Sequence, residues 1–150
     1  MPVELTPNGT RGGTVPRMPG WLVKPAYAIA PLFFRSKGIQ LGMLTTVGSK
    51  TGEERQVQLS IFPDGENAWI VIASAGGATK HPGWFFNMAR NPDKVWLETG
   101  GRKMRVEAQS LKGAEREAAW QKATAVWPGY NGYKAKTDRD IPVVRLTPAD

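Results

Sequence analysis

The sequence has no cysteine and a single histidine, His81, among its 150 residues. Without cysteine the chain can form no disulfide, provide no thiolate nucleophile and bind no metal through sulfur. One histidine excludes a multi-histidine metal site, and the acidic residues fall mostly on turns and helix faces, which disfavours a catalytic triad. We expect no metal site. If the protein is an enzyme, a bound cofactor must supply the difficult chemistry.

Long apolar runs are also missing. The most apolar stretch, residues 21–34, contains Lys24, Pro25 and Pro31, whereas a membrane-spanning helix needs about 20 apolar residues. It is interpreted as a broken helix over a barrel end or a dimer seam, or as an interfacial membrane helix, which leaves open peripheral membrane contact through residues 21–37. The predicted location is cytoplasmic, either free or at the inner face of the cell membrane.

Acidic residues are scarce in the first third of the chain. Residues 1–50 contain six basic residues but one acid, Glu4, and the whole sequence has a formal net charge of +7. Such a charge attracts polyanions: nucleic acid, anionic lipid or a phosphorylated small molecule. Nucleic acid is disfavoured, because the basic residues accompany apolar residues and form no stripe interleaved with aromatic side chains.

Alternation of apolar and polar residues with a period of two begins near residue 39. Six runs have the composition of strands: IQLGMLTTV, RQVQLSIF, AWIVIAS, KVWLET, RKMRVEAQSL and IPVVRL. Hairpin turns are predicted at PDGEN and at Gly100-Gly101, and helices over WFFNMARNP and over residues 114–127. The predicted fold class is α+β but mainly β, with antiparallel strands that close into a barrel and a few flanking helices.

The N-terminal segment is predicted to be less ordered than the rest of the chain. Residues 1–20 hold several prolines and no apolar period, and we expect a mobile N-terminal arm there. No repeat or internal boundary interrupts the remainder, so residues 21–150 are predicted to form a single domain.

Two glycine-bearing segments could approach an anionic ligand. VGSKTGEER places Lys50 and Thr51 between two glycines, with Arg55 on the next strand, and it is either an anion nest or a hairpin turn with a solvated lysine. It is not a P-loop, because a strand follows it where that motif needs a helix. ASAGGATKHPGW follows a strand and leads into a helix, and it is either a loop whose backbone approaches a ligand or an ordinary connection.

A third segment, VWPGYNGYKAKTDRD, carries aromatic residues. Trp127, Tyr130 and Tyr133 recur at spacing three among proline and glycine, and the segment is predicted to be too broken for a core helix. An exposed aromatic cluster beside a cleft suits a flat conjugated ligand. The alternative is that the aromatic side chains fold back on the core.

In this order, LTTVGSKTGEER, ASAGGATKHPGWFFNMARNP and WPGYNGYKAKTDRDIPVVRLTP resemble the deazaflavin-dependent nitroreductase family, over residues 41–148. The resemblance implies a split antiparallel β-barrel related to the FMN-binding barrels. It implies an enzyme that transfers hydride from reduced coenzyme F-420 to quinones, nitro compounds or activated enones. This coenzyme is an 8-hydroxy-5-deazaflavin with a phosphate and an oligoglutamate tail.

The resemblance also implies which residues bind the cofactor. A phosphate site is implied on the first segment, and contacts along the deazaflavin and its linker are implied on the second. The residues so implied are Lys50, Thr51, Arg55, Ala73, Ser74, Gly76, Gly77, Lys80 and Trp84.

The substrate side is implied to be aromatic. Trp127, Tyr130 and Tyr133 would form its wall, and Ser74, Tyr130 or Tyr133 would polarise or protonate the substrate. The expected partner is a small molecule, with no nucleic acid, and the expected state is a monomer or a homodimer. The alternative is a barrel that binds flavin, haem or a lipid-like ligand without turnover.

Overall fold

Six strands and three helices form the described part of the chain, which in this computed structural model comprises residues 3–12, 21, 39–74 and 77–149. The strands are β1 (Gln40–Val47), β2 (Glu54–Pro63), β3 (Trp69–Ile72), β4 (Trp96–Thr99), β5 (Arg102–Ser110) and β6 (Val143–Pro148). The helices are α1 (Gly83–Arg90), α2 (Gly113–Val126) and α3 (Gly129–Lys136). All six predicted strands and the two helices predicted after residue 39 are confirmed. Helix α3 is an addition, in the segment predicted to be too broken for a helix.

The strands close into an antiparallel barrel in the order β1-β2-β3-β6-β5-β4. Strand β2 pairs with β1 along the whole length of β1 and, at Phe62 and Pro63, with β3. Strand β5 pairs with β4 through its first half and with β6 through its second. The two long strands β2 and β5 thus belong to both halves of the barrel, which confirms the predicted split antiparallel barrel.

Turn chemistry fixes the register of the hairpins. Gly100 and Gly101 both have positive φ, 60° and 77°, between the paired residues Thr99 and Arg102. Two consecutive positive φ values define the type I′ turn, which matches the twist of the flanking strands and which glycine adopts without steric cost. The hairpin predicted at this position is therefore confirmed.

Two apolar clusters pack on opposite faces of the same strands. In β3, Val71 points into the cluster inside the barrel, whereas Ile70 and Ile72 join a second cluster with helices α2 and α3. Because alternate residues of a strand face opposite sides, burial of both faces requires cover outside the barrel. Trp120 of α2 and Tyr130 of α3 provide part of that cover, which places α3 beside the barrel wall.

Residues 3–12 lie against the barrel. Val3 belongs to the barrel core, and the carboxylate of Asp138 accepts bonds from the backbone N–H groups of Thr10 and Arg11, both at 2.8 Å, and from the Thr10 hydroxyl. These bonds, that of the Thr10 hydroxyl first, lower the pKa of Asp138 to about 2. This docking differs from the mobile arm predicted over residues 1–20, whose other positions lie outside the described residues.

The apolar stretch at residues 21–34 is described only at Trp21, whose side chain is exposed. Within the described residues, no helix has the length and apolar character needed to cross a membrane. The predicted helix or membrane contact of residues 22–37 lies outside the described residues.

Candidate active site

A cavity of about 1160 Å³ lies between strand β2, the β1–β2 hairpin, the loop before α1, helix α1 and helix α3. All the predicted site residues were drawn from segments that meet here. Those that line the cavity are Lys50, Thr51, Arg55, Ser74, Lys80, Trp84, Trp127, Tyr130 and Tyr133. Ala73 and Gly77 do not line it, and Gly76 lies outside the described residues.

The β1–β2 hairpin forms one end of the cavity. Its loop is closed by backbone bonds from Gly48 N–H to the Glu53 carbonyl, 2.7 Å, and from Gly52 N–H to the Gly48 carbonyl, 2.9 Å. Asn87, from α1, accepts a bond from the N–H of Ser49 at 3.1 Å and is buried. A helix side chain therefore fixes the loop from outside the hairpin, a role for Asn87 that no sequence pattern indicated.

The donors on this loop suit an anion. Lys50, Thr51 and Arg55 are exposed at the cavity edge, and across the described residues Lys50 and Lys80 form no ion pair. A Cβ added at Gly48 would lie 2.7 Å from the Thr51 hydroxyl, so a larger residue there would displace the Thr51 side chain. Cationic side chains, a hydroxyl and a tight glycine turn are a donor set typical of phosphate binding.

The loop between β3 and α1 forms a second wall. Ala73 is fully buried and donates its N–H to the Pro142 carbonyl at 2.9 Å. Gly77 has φ of 81°, and a Cβ there would lie 2.8 Å from the carbonyl oxygen of Tyr133. These two residues lie behind the wall and determine its shape, whereas Ser74 faces the cavity.

His81, at the end of this loop, is a neutral hydrogen-bonded residue. Its Nδ1 lies 2.8 Å from the guanidinium of Arg139 and accepts a bond from it, so Nε2 carries the proton and donates to the Thr6 carbonyl at 2.9 Å. Burial, followed by the nearby charge of Arg139, lowers the pKa of His81 below its ordinary 6.5. The role of Arg139 could not be predicted from the sequence, because a single arginine in a polar run gives no sign of burial.

Stability should depend on pH through His81. Because the folded-state pKa lies below 6.5, the unfolded chain binds the proton first as pH falls, and the free energy of unfolding decreases below about pH 6.5. The slope from one such group is at most about 1.4 kcal/mol per pH unit. Urea unfolding between pH 7 and pH 5.5 should show this loss. His81→Gln, which cannot titrate, should flatten the dependence, and an equal slope in both proteins would contradict it.

Helix α3 forms the aromatic wall, and it corrects the prediction of an exposed aromatic cluster. Tyr130 is only 6% exposed, with its ring 6.0 Å from that of Phe62 and 6.2 Å from that of Trp120. Burial raises the pKa of Tyr130 to about 12. Trp127 and Tyr133 are half-buried and face the cavity. The cluster therefore both folds back on the core and lines the cleft, because tertiary packing stabilises a helix that its glycines disfavour.

The cavity thus combines cationic and aromatic side chains. The cations are Lys50 and Arg55 of the hairpin and Lys80 of the loop before α1, and the aromatic side chains include Trp127 and Tyr133. A ligand with a flat conjugated ring and an anionic tail matches both kinds of lining. No group of acids or histidines able to hold a metal exists among residues 3–12, 21, 39–74 and 77–149.

A family model and a protein of similar sequence carry the same description. The sequence model described as F420H(2)-dependent quinone reductase matches residues 30–148. An F420H(2)-dependent quinone reductase of Mycobacterium tuberculosis is 35% identical over 108 residues, which cover 70% of this chain and 71% of that protein.

Two solved structures are similar at the level of the fold. The structure of an F420-H2 dependent reductase, FDR-A, has a TM-score of 0.64 and 37% identity, and the match covers 71% of this chain and 93% of that one. A structure described as a domain-swapped dimer has a TM-score of 0.64 and 32% identity, over 84% and 96% of the two chains.

Proposed function

The chain belongs to the F420H(2)-dependent quinone reductase family, and from that premise we propose that its cavity transfers hydride from reduced coenzyme F420 to quinones, nitro compounds and activated enones. Coenzyme F420 is the hydride donor of the family, and reduction of quinones is its activity. Nitro compounds and enones extend that range on the ground of their electron-poor character. The observation that carries the proposal is the cavity itself, which joins a cationic hairpin to an aromatic wall.

The hairpin end would bind the phosphate. Lys50 supplies a charge, Thr51 a hydroxyl and Arg55 a planar fork that suits phosphate oxygens. Lys80, on the adjacent loop, would bind the anionic tail. When bound, the coenzyme supplies the hydride. The protein holds and orients both molecules, excludes water and stabilises negative charge that develops on the acceptor.

The middle of the cavity would hold the ring of the coenzyme. Ser74 presents a small hydroxyl from the loop, and the buried indole of Trp84 closes the cavity beside it. Contacts of the linker with Ala73, Gly76 and Gly77 stay predictions. Of these residues the structure describes Ala73 and Gly77, which would act through the shape of the loop.

On the substrate side, Tyr133 is the better proton donor of the two tyrosines. The pKa of Tyr130 is raised to about 12, and its hydroxyl shares a hydrogen bond with Ser60. Tyr133 is half-buried at the cavity surface, where its hydroxyl can reach a ligand or water. We therefore assign Tyr133 and Trp127 to the substrate wall, and Tyr130 to its support.

Phenylalanine substitutions should separate these roles. Tyr133→Phe should lower kcat for quinone reduction about tenfold, less than the ~10²-fold of a fully sequestered acid, because water can replace a half-exposed hydroxyl. Tyr130→Phe should change kcat less than about threefold and lower the unfolding free energy by about 1 kcal/mol, because Ser60 loses its partner. Steady-state kinetics and urea unfolding measure the two effects. The reverse order of kcat losses would refute the assignment.

The activity itself is tested with the purified protein, reduced coenzyme F420 and menadione. Oxidation of the coenzyme restores its visible absorbance, and we expect protein-dependent recovery with menadione, with a nitroimidazole and with a cyclic enone. No recovery with any acceptor would refute the proposed activity. A protein that retained flavin or haem through purification and did not bind coenzyme F420 would favour the non-catalytic alternative.

The proposal also covers the oligomeric state of the protein. A structural relative forms a domain-swapped dimer, and we propose a homodimer for this chain in preference to a monomer. A cytoplasmic location and membrane contact through residues 21–37 stay predictions from the sequence.

A further inference from the structure

Arg139 is a buried cation directly behind the loop that forms one wall of the cavity. Only 4% of the residue is exposed to solvent. The guanidinium donates to the carbonyls of Ala73 at 2.9 Å, Ser74 at 2.7 Å and Ala78 at 3.1 Å. The fourth acceptor is Nδ1 of His81, at 2.8 Å. None of these acceptors carries a charge, and the described residues place no carboxylate within ion-pair distance of Arg139.

Burial of a guanidinium away from any carboxylate costs free energy, which its hydrogen bonds must offset. A buried charge without an opposite charge loses several kcal/mol of hydration, and arginine cannot escape the cost by losing its proton. All four acceptors belong to a single loop, at residues 73–81. Without the guanidinium, three buried carbonyls of that loop would lose a donor. The planar fork of Arg139 therefore specifies one shape of the loop.

The same residue ties the loop to the opposite wall. Arg139 follows helix α3 by three residues, and its N–H donates to the Thr137 hydroxyl at 3.1 Å. Within the loop, Gly77 packs so closely on the end of α3 that a Cβ would meet the Tyr133 carbonyl. The loop bearing Ser74 and the helix bearing Tyr133 both line the cavity.

We propose that Arg139 is a positioning residue that sets the separation between the coenzyme-side loop and the substrate-side helix. This inference rests on the proposed function. Hydride transfer needs reacting atoms within about 3–3.5 Å, and a misplacement of about 1 Å can cost about 10²-fold in rate. Because the proposed phosphate contacts lie on the β1–β2 hairpin, which Arg139 does not touch, loss of Arg139 should affect kcat more than coenzyme affinity.

Arg139→Lys tests this, because it keeps the charge and removes the planar fork. We expect kcat with reduced coenzyme F420 and menadione to fall at least about tenfold, and the coenzyme Kd to change less than about threefold. In the protein without ligand, the amide protons of Ala73, Gly77 and His81 are hydrogen-bonded. Their exchange with solvent should become at least about tenfold faster, as measured by NMR.

Arg145→Lys is the matched control. Arg145 is half-buried and bonds Asp64 at 2.7 Å and Glu115 at 2.9 Å, and it does not line the cavity. The control should leave kcat and the exchange of the loop amides unchanged. If Arg139→Lys does not fold, Thr137→Val removes the acceptor of the Arg139 N–H, together with the donor to the Arg11 carbonyl at 2.7 Å, at nearly constant volume. It should lower kcat about threefold with unchanged Kd.

The outcomes distinguish this inference from the proposed function. Unchanged kcat or unchanged amide exchange in a folded Arg139→Lys protein overturns the inference and leaves the function intact. Equal losses in Arg145→Lys also overturn it, since they indicate general destabilisation. Failure of the unaltered protein to bind coenzyme F420 refutes the proposed function, and the inference with it.

Discussion

Replacing Lys50 with alanine should raise the coenzyme KM by about 10- to 150-fold and leave kcat nearly unchanged. A hydrogen bond to a charged group contributes about 1.5–3 kcal/mol once solvent is excluded, and about 1.4 kcal/mol corresponds to a tenfold change in affinity. The side chain lies at the cavity edge and forms no ion pair with any described residue, so its ammonium group is available for the proposed phosphate contact. Steady-state kinetics with varied coenzyme and saturating menadione measures the effect.

The size of the KM change also distinguishes two kinds of phosphate contact. A contact that stays hydrated contributes less than about 1 kcal/mol, which limits the change to about fivefold. Lys103→Ala is the matched control, because Lys103 is an exposed lysine of β5 away from the cavity. Equal KM values for the unaltered protein and Lys50→Ala would remove Lys50 from the site. A large decrease in kcat would show that Lys50 acts in the hydride transfer step and not in binding alone.

Replacing Gly77 with alanine should lower the free energy of unfolding by about 2–5 kcal/mol. The residue has φ of 81°, and an L-residue in this left-handed region costs about 1–2 kcal/mol. In addition, the new Cβ would lie 2.8 Å from the Tyr133 carbonyl oxygen, which is backbone and cannot rotate away. Overpacking of this kind costs about 1–3 kcal/mol. Urea unfolding measures the sum.

Gly101→Ala measures the first contribution alone, and its difference from Gly77→Ala gives the second. Gly101 has nearly the same φ, 77°, and a Cβ there would meet nothing within 4 Å. Its substitution should cost only the conformational part, about 1–2 kcal/mol. Because the Gly77 contact joins the loop to α3, Gly77→Ala should also lower kcat for quinone reduction. Equal losses of stability for the two variants would show that the loop and helix yield without cost.

Much of the barrel could be predicted from local patterns. The alternation in AWIVIAS and IPVVRL predicts strands, since side chains of a strand alternate between two faces. Gly100-Gly101 predicts a type I′ hairpin because both positions need positive φ. The hairpin with Lys50, the loop with Lys80 and the aromatic segment, which line one cavity, could be selected as candidate ligand-binding segments because each combines glycine or proline with charged or aromatic residues.

Helix α3 and the docking of residues 3–12 could not be predicted in the same way. Glycine and proline in PGYNGY argue against a helix, and packing of Tyr130 on Trp120 and Phe62 outweighs that local preference. Residues 3–12 have no apolar period, and Asp138 binds them through backbone N–H groups, which any sequence possesses.

The sequence by itself determined the strands, the turns and the functional groups available to the site. The lack of cysteine and of a second histidine also indicated that a cofactor supplies the chemistry. Strands and turns depend on residues near one another in the chain, and the need for a cofactor follows from composition. Only the tertiary structure decided that Arg139 is buried behind the loop at residues 73–81, and that His81 is neutral. Burial and partner choice arise from contacts between residues some sixty positions apart, and no local pattern records which distant backbone carbonyls a single arginine will meet.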